Sequence, residues 1–440
     1  MSAVRAANTS LPRGWFQCGC AAALLSFAAS KLTGCASENP EGDEVTEEDI
    51  GALPNTPLYA STRTQSPMTK GIAQRLQQIR TAGRDNRANV FVKVGDSQTV
   101  NGGFMHCFAG SSFDLADHDE LESTRTFFLG PDGTGKATFA RQSSAAKVGA
   151  AASWVLGGPL ATELAASRPR YAIVMYGSND IQLAPSGGLA AYAKNMKALT
   201  DTLLKAGVIP ILTSPPPRPL RSEDVAAFGS AGADVWAPRF ATVVRGIAQG
   251  RQIPFVDLQR ELRLIPKFGI GSDNLHLNTA PLGACKLDAA SLQYGTNVRN
   301  FVTLEALSRV RPAVESGVGT DTAEGLTGGG TEVAPFVVPD LPFADLRSHR
   351  QSSPSDGPGV CASASSARFV YRFTLSARKT IYFGLHGAGA STLHVRGKSP
   401  STVCKTISKN EGALTLDKGE YEIVVGASSS TSGEFLLTAT

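Results

Sequence analysis

The stretch Val90-Phe91-Val92-Lys93-Val94, which runs directly into Gly95-Asp96-Ser97, decides the fold class of this 440-residue chain. A short run of β-branched and aromatic residues that ends at a glycine turn predicts a buried strand. Three further runs repeat this pattern: Tyr171–Met175, Val208–Thr213 and Pro254–Asp257. Because these runs are apolar almost throughout, we expect the sheet that they form to be covered on both faces.

Helical periodicity separates the predicted strands. It is clearest between Leu189 and Ala206, where apolar residues recur on one helix face. Further helices are predicted at Trp236–Gly250, Leu258–Leu264 and Val298–Val310. Strands that alternate with helices indicate a doubly wound α/β domain, with a mainly parallel sheet and helices on both faces in a flavodoxin-like layering. Ligand sites in such sheets lie at the carboxyl ends of the strands.

The composition divides the chain into five segments. Residues 1–34 are predicted to be a signal peptide, and residues 35–64 an acidic, disordered tether that repels itself and cannot bury a core. Residues 65–316 are predicted to form the α/β domain, and residues 317–340, rich in Gly, Thr and Glu, a linker. Short strands separated by Gly, Ser and Asn turns predict a small β-sandwich over residues 341–440.

The N-terminal segment has the features of an export signal. Arg5 and Arg13 precede an apolar stretch, Trp15–Ser30, that is too short to span a membrane as a helix. Leu32-Thr33-Gly34-Cys35 matches a bacterial lipoprotein signal, in which Cys35 is acylated and becomes the mature N-terminus. An ordinary cleaved secretion signal is the alternative. Either interpretation predicts an exported protein, and Ala36 after the cysteine favours the outer membrane or cell surface, on the periplasmic or extracellular side.

The charge of the chain argues against two classes of partner. The chain has 42 basic and 38 acidic side chains, and removal of residues 1–34 takes away three basic and no acidic residues. A nearly neutral mature chain has no electrostatic basis for binding nucleic acid or anionic lipid. We expect a monomer that contacts the membrane only through its lipid anchor.

Four of the seven cysteines remain once the signal peptide and the lipidation candidate Cys35 are set aside. An even number of cysteines in an exported chain predicts two disulfides. We favour Cys107–Cys285 and Cys361–Cys404, because each pair then lies within one predicted domain. Four free, buried thiols are the alternative.

Three segments far apart in the chain carry side chains with complementary chemistry. A serine hydroxyl is a poor nucleophile unless a base takes its proton. Ser97 follows a predicted strand, and His276 is the candidate base. Asp273, three residues earlier, can reach the imidazole Nδ1 and orient the ring. The Ser97 N–H and the Asn179 side-chain amide can donate hydrogen bonds to the oxyanion that develops during attack on an ester.

Taken in order, these segments resemble the conserved blocks of the GDSL/SGNH hydrolases. The first, third and fifth blocks are matched by Gly95-Asp96-Ser97, Gly177-Ser178-Asn179-Asp180 and Asp273-Asn274-Leu275-His276. The resemblance covers about residues 85–312. It implies that Ser97 is the nucleophile, that Asn179 is an oxyanion donor, and that Asp273 and His276 are the acid and the base.

Two further features follow from the resemblance. The second block of the family supplies an oxyanion glycine, for which Gly149 is the best match, while one alignment places Ala146 there instead. The backbone N–H of either residue could donate. The C-terminal β-sandwich resembles the pre-peptidase C-terminal-like accessory domains that are appended to secreted bacterial hydrolases and peptidases.

The resemblance implies an exported serine esterase that hydrolyses carboxylic (acyl or acetyl) esters through an acyl-enzyme intermediate, with no metal or organic cofactor. Its expected substrates are lipid esters or acylated polysaccharides. Two alternatives remain open at this point. The chain could be a surface protein that binds polysaccharide or matrix and keeps a vestigial hydrolase domain, or an acyltransferase that uses the same residues.

Overall fold

The computed structural model describes residues 56–354, 367–387, 391–398, 403–427 and 433–440. The α-helices are α1 Lys70–Ala82, α2 Ser97–Val100, α3 Glu122–Phe127, α4 Ala152–Val155, α5 Pro159–Ser167, α6 Gly188–Lys205, α7 Val225–Phe228, α8 Ala237–Arg251, α9 Leu258–Leu262 and α10 Gly295–Ser316. The strands of the N-terminal part are β1 Arg87–Gly95, β2 Phe113–Asp114, β3 Pro169–Met175, β4 Ile209–Thr213, β5 Phe255–Val256 and β6 Cys285–Lys286. Among these residues, no helix is both long enough and apolar enough to cross a membrane.

The central sheet has the strand order β1-β3-β4-β5, and all of its pairs are parallel. All seven residues of β3 are buried. Because successive side chains of a strand point to opposite faces, this burial means that both faces of the sheet are covered. Helices α6 and α8 pack against each other and on β4, while α1 and α10 form a second packed pair.

A short extension adds to the outer edge of β1. Ala146 forms an isolated parallel bridge with Gly95, and the N–H of Lys147 donates to the Gly95 carbonyl at 3.0 Å. The segment that contains Gly149 therefore leaves the sheet beside the end of β1. A sheet that grows to both sides of its first strand has a topological switch point there, which is where doubly wound folds bind ligands.

The C-terminal region is a β-sandwich. Its strands are β7 Phe336–Val337, β8 Phe343–Ser348, β9 Ser353–Pro354, β10 Ala367–Leu375, β11 Lys379–Gly387, β12 Ser391–Gly397, β13 Cys404–Thr406, β14 Glu411–Leu416, β15 Gly419–Ala427 and β16 Glu434–Ala439. One sheet has the order β13-β12-β15-β10-β7, with β9 also paired to β10, and the other has the order β14-β11-β16-β8. Aromatic and branched side chains of both sheets, among them Phe369, Phe383 and Ile423, share one core. The predicted fold class, a doubly wound α/β domain followed by a small β-sandwich, is confirmed.

The sandwich packs directly on α8. A Cβ atom at Gly246 would lie 2.5 Å from Leu436 Cδ1, and one at Gly250 would lie 2.6 Å from Leu346 Cβ. Glycines four residues apart lie on the same face of a helix, so β8 and β16 approach the helix backbone closely. At the end of the same helix, the buried Arg251 guanidinium forms ion pairs with side chains of α6 and β16. The described residues accordingly belong to one compact unit.

Two predicted boundaries differ from the structure. Tyr59, inside the segment predicted as a disordered tether (35–64), is buried, and its hydroxyl donates to the Ile253 carbonyl at 3.0 Å. The segment predicted as a linker (317–340) contributes β7, which pairs in parallel with β10. In both cases the segment as a whole is polar, while its last residues include apolar side chains that pack on the neighbouring core.

Candidate active site

The turn between β1 and α2 presents the predicted nucleophile. Ser97 is the first residue of α2, and the Asp96 side chain caps the helix by accepting from the Gln98 N–H at 3.0 Å. A Cβ atom at Gly95 would lie 2.4 Å from the Met175 carbonyl oxygen. Only glycine therefore lets the strand turn into the helix so close to β3, and this turn places Ser97 at the carboxyl end of the sheet.

The predicted base and acid form a hydrogen-bonded chain with this serine. His276 Nε2 lies 2.9 Å from Ser97 Oγ, and His276 Nδ1 lies 2.6 Å from Asp273 Oδ2. An ionised carboxylate can only accept a hydrogen bond, so Nδ1 must carry the ring proton. Nε2 is then left to accept the proton of the serine hydroxyl. This is the tautomer that a general base for Ser97 requires.

The electrostatics of the loop keep Asp273 charged. Burial raises the pKa of Asp273, but hydrogen bonds from the His276 ring and from the N–H groups of His276 and Leu275 outweigh burial, so the pKa lies below the usual value. The His276 and Asp273 side chains are still 39% and 49% exposed. The carboxylate therefore stays ionised throughout the neutral pH range, and water can reach the site.

The predicted oxyanion donors are the N–H groups of Ser97 and Gly149 and the side-chain amide of Asn179. In the described part of the chain, the N–H groups of Ser97 and Gly149 donate no hydrogen bond. Asn179 Nδ2 uses one of its two hydrogens to donate to the Ala150 carbonyl at 3.0 Å, which fixes the orientation of the amide and leaves the other hydrogen available. Ala146 differs, because its N–H already donates to the Ser143 carbonyl at 3.3 Å. Between the two alternatives, the structure favours Gly149 as the donor.

The segments that carry these donors are tied together by a buried carboxylate. Asp180 accepts from the Ala152 N–H at 3.0 and 3.2 Å, which links the segment after β3 to the start of α4 and so to Gly149. Burial raises the pKa of Asp180 to about 6, against the lowering effect of the Ala152 N–H. Asp180 belongs to a segment that the sequence singles out, but only its burial shows this linking role.

Two buried arginines also support the site, and sequence reasoning missed both. Arg218 Nη1 donates to the Ser178 carbonyl at 2.6 Å. Arg299, on α10, donates to the Gln98 carbonyl at 2.5 Å and stacks on Phe104 with its guanidinium carbon 3.5 Å from the ring centre. No local motif marks either residue, because each acts across a large separation in sequence.

The structure contains the predicted Cys107–Cys285 disulfide, with a Cα–Cα distance of 5.8 Å. It joins the region after Ser97 to the region after His276, where β2 and β6 pair in parallel. Cys404 is also disulfide-bonded. Cys361, its predicted partner, and Cys35, the predicted lipidation site, lie outside the described residues, so both assignments stay predictions.

The chain matches one family model over the region that contains this site. Residues 94–280 match the model of the GDSL-like Lipase/Acylhydrolase family. No curated protein sequence matches the chain. The match covers the Ser97, Asn179 and His276 segments and confirms the family resemblance predicted from them.

Three solved structures are similar to parts of the chain at low identity. A lipase/acylhydrolase from Enterococcus faecalis is 16% identical, with 50% of this chain and 94% of that chain covered and a TM-score of 0.34. Axe2, an acetylxylan esterase from Geobacillus stearothermophilus, is 14% identical, with 50% and 95% covered and a TM-score of 0.33. The pre-peptidase C-terminal domain of a Bacillus anthracis collagenase is 14% identical, with 23% and 90% covered and a TM-score of 0.17. Residues 94–280 therefore match a GDSL-like lipase/acylhydrolase domain, and this match supports a carboxylic ester hydrolase.

Proposed function

We propose that this protein is an exported serine esterase in which Ser97, His276 and Asp273 act together and form an acyl-enzyme intermediate. The observation that carries the proposal is the continuous hydrogen-bonded chain from Ser97 Oγ to His276 and on to Asp273, with distances of 2.9 and 2.6 Å. A vestigial hydrolase domain would not be expected to retain both these hydrogen bonds and the uncommitted N–H groups of Ser97 and Gly149. The geometry therefore favours a working enzyme over a surface binding protein.

The proposed reaction follows from the positions of these groups. Ser97 Oγ attacks the ester carbonyl carbon while His276 Nε2 takes the hydroxyl proton. The oxyanion accepts hydrogen bonds from the Ser97 and Gly149 N–H groups and from Asn179, each donor typically being worth about 10²- to 10³-fold in kcat. The imidazolium then gives its proton to the departing alcohol, which leaves an acyl group on Ser97. A water molecule, deprotonated by His276, releases the carboxylic acid.

The exposure of the site favours hydrolysis over acyl transfer. Transfer to an acceptor alcohol requires that water be kept away from the acyl-enzyme. His276 is 39% exposed and Asp273 is 49% exposed. Because the base is open to solvent, water is the expected acceptor.

Exposed apolar side chains next to the catalytic segments favour an ester with an apolar acyl group. Val100 lies three residues after Ser97, Val148 directly precedes Gly149, and Leu183 lies four residues after Asn179. These three side chains and Leu282, six residues after His276, are all exposed. When a ligand covers exposed apolar surface, removal of that surface from water stabilises the complex. A butyrate or octanoate ester should therefore be bound more tightly than an acetate ester.

The proposal is tested by hydrolysis of p-nitrophenyl acetate, butyrate and octanoate by the purified protein, with glycerol added in one series. We expect turnover of all three esters, a rise in kcat/KM with chain length, and the free acid as the main product even when glycerol is present. Acid quenching should leave an acyl group on the Ser97 peptide, detectable by mass spectrometry. A folded protein with the Cys107–Cys285 bond intact that hydrolyses no ester would contradict the proposal.

We propose further that the protein is exported and held by a lipid on Cys35, at the outer membrane or cell surface. The Cys107–Cys285 disulfide supports export, because such bonds persist mainly in oxidising compartments. Metabolic labelling with an alkyne fatty acid should mark the wild-type protein and not the Cys35→Ser variant. Equal labelling of both proteins would overturn the anchor.

A further inference from the structure

Gln98, the residue that follows the predicted nucleophile, binds the loop that carries the base. Its Nε2 donates to the Leu275 carbonyl at 2.7 Å, and its Oε1 accepts from the Leu277 N–H at 3.3 Å. Leu275 and Leu277 are the two neighbours of His276. One amide therefore holds the backbone on both sides of the base, from the helix that carries the serine.

The Gln98 residue is itself firmly fixed. Its N–H donates to Asp96 Oδ1 at 3.0 Å, and its carbonyl accepts from Arg299 Nη1 at 2.5 Å. It is only 2% exposed. All of the polar groups of this residue are thus engaged, and its side chain cannot turn away without leaving buried groups unpaired.

The loop around His276 has few other connections to the serine. Asp273 and Asn274 are exposed, and the Gly271 N–H binds the His276 carbonyl within the loop itself. Asn274 Nδ2 reaches the Leu220 carbonyl, away from α2. Among the described residues, the Gln98 side chain makes the only hydrogen bonds between α2 and this loop apart from the bond between Ser97 and His276.

We propose that Gln98 is a positioning residue that holds His276 Nε2 against Ser97 Oγ, an inference that rests on the proposed esterase function. Displacement of a catalytic group by about 1 Å can cost about 10²-fold in rate. An exposed loop that carries the base needs an anchor on the element that carries the nucleophile. Gln98 supplies this anchor at two points.

The Gln98→Met variant tests the proposal, because methionine keeps the length of the side chain and removes both hydrogen bonds. We expect kcat for p-nitrophenyl butyrate to fall by about 10- to 100-fold with KM changed by less than about 3-fold, as expected when positioning of the base and not substrate binding is lost. An unchanged kcat in the folded variant would overturn the proposal.

Gln249 provides a matched control, because it makes the same pair of bonds away from the site. Its Oε1 accepts from the Tyr59 N–H at 2.9 Å, its Nε2 donates to the Ala344 carbonyl at 3.1 Å, and it is 3% exposed. Gln249→Met should lower Tm and leave kcat unchanged. If both methionine variants lose kcat in proportion to their loss of Tm, Gln98 has only a structural role.

The Gln98→Glu variant gives a second readout in a side chain of the same shape. Its carboxylate can still accept from the Leu277 N–H but can no longer donate to the Leu275 carbonyl. It also adds a negative charge beside His276, which should favour the imidazolium. The charged groups that already face this region are Asp273 on the loop, Asp96 before α2 and Arg299 on α10. The acidic limb of the kcat/KM profile should move to higher pH. An unmoved limb together with a wild-type kcat would contradict the positioning role.

The two proposals can fail separately. If Ser97→Ala keeps the activity of the wild type, the proposed esterase site is wrong and no result at Gln98 can rescue it. If Ser97→Ala abolishes hydrolysis while Gln98→Met and Gln98→Glu both keep the wild-type kcat, the esterase stands and only the positioning role is lost.

Discussion

Replacement of Ser97 by alanine is expected to lower kcat for p-nitrophenyl butyrate by at least about 10⁴-fold, because loss of the nucleophile of a serine hydrolase typically costs 10⁴- to 10⁶-fold. The variant removes one hydroxyl at the start of α2 and keeps the N–H groups that bind the oxyanion. KM should change little, since substrate contacts remain. Steady-state hydrolysis at pH 7.5, with Tm measured on the same sample, checks the expectation.

A second serine variant controls for nonspecific effects. Ser153 is an exposed residue of α4, four positions after Gly149, and among the described residues it makes no hydrogen bond to Ser97, His276 or Asp273. Ser153→Ala should keep the activity of the wild type. If Ser97→Ala retains more than a few per cent of kcat while Tm is unchanged, another group is the nucleophile and the assignment of Ser97 fails.

Replacement of Asp273 by asparagine is expected to lower kcat by about 10³- to 10⁴-fold, and by more than replacement by alanine. The Asp273 Oδ1 atom accepts from the N–H groups of Leu275 and His276, and the oxygen of an asparagine can keep both bonds. The amide nitrogen then faces His276 Nδ1 and donates to it. The ring proton is forced onto Nε2, which can no longer accept the proton of Ser97.

Alanine at position 273 lets the His276 ring adopt either tautomer, so that Nε2 is unprotonated in a fraction of the molecules. Measurement of kcat for both variants checks this order, and an asparagine variant at least as active as the alanine variant would contradict it. Asp288 offers a matched control, because its Oδ1 accepts from the N–H groups of Ala290 and Ser291 in the same turn geometry. Asp288→Asn should keep the wild-type kcat.

Local sequence patterns were sufficient to predict much of the fold. The apolar runs that end at Gly95 and Gly177 mark β1 and β3, because a buried parallel strand needs continuous apolar residues and a sharp turn needs glycine. The periodicity between Leu189 and Ala206 matches α6 to within one residue at each end. The three-residue spacing of Asp273 and His276 also predicted their hydrogen bond, because a turn of that length brings the two side chains together.

The segment boundaries were harder to predict. Composition averaged over tens of residues suggested a tether up to residue 64 and a linker up to residue 340. Tyr59 and β7 nevertheless pack on the folded part. A single apolar side chain can pack on the core of a neighbouring domain. Composition averaged over tens of residues does not reveal such a side chain.

The sequence by itself determined the fold class, the order of the three segments of the candidate site and the family resemblance, because these depend on residue types and short spacings. Only the tertiary structure decided that Gly149 and not Ala146 keeps an uncommitted N–H, that Gln98 anchors the His276 loop, and that the sandwich rests on Gly246 and Gly250 of α8. The Gln98 contact joins residues 177 positions apart in the chain. Such contacts depend on how whole elements pack, and no local pattern encodes them.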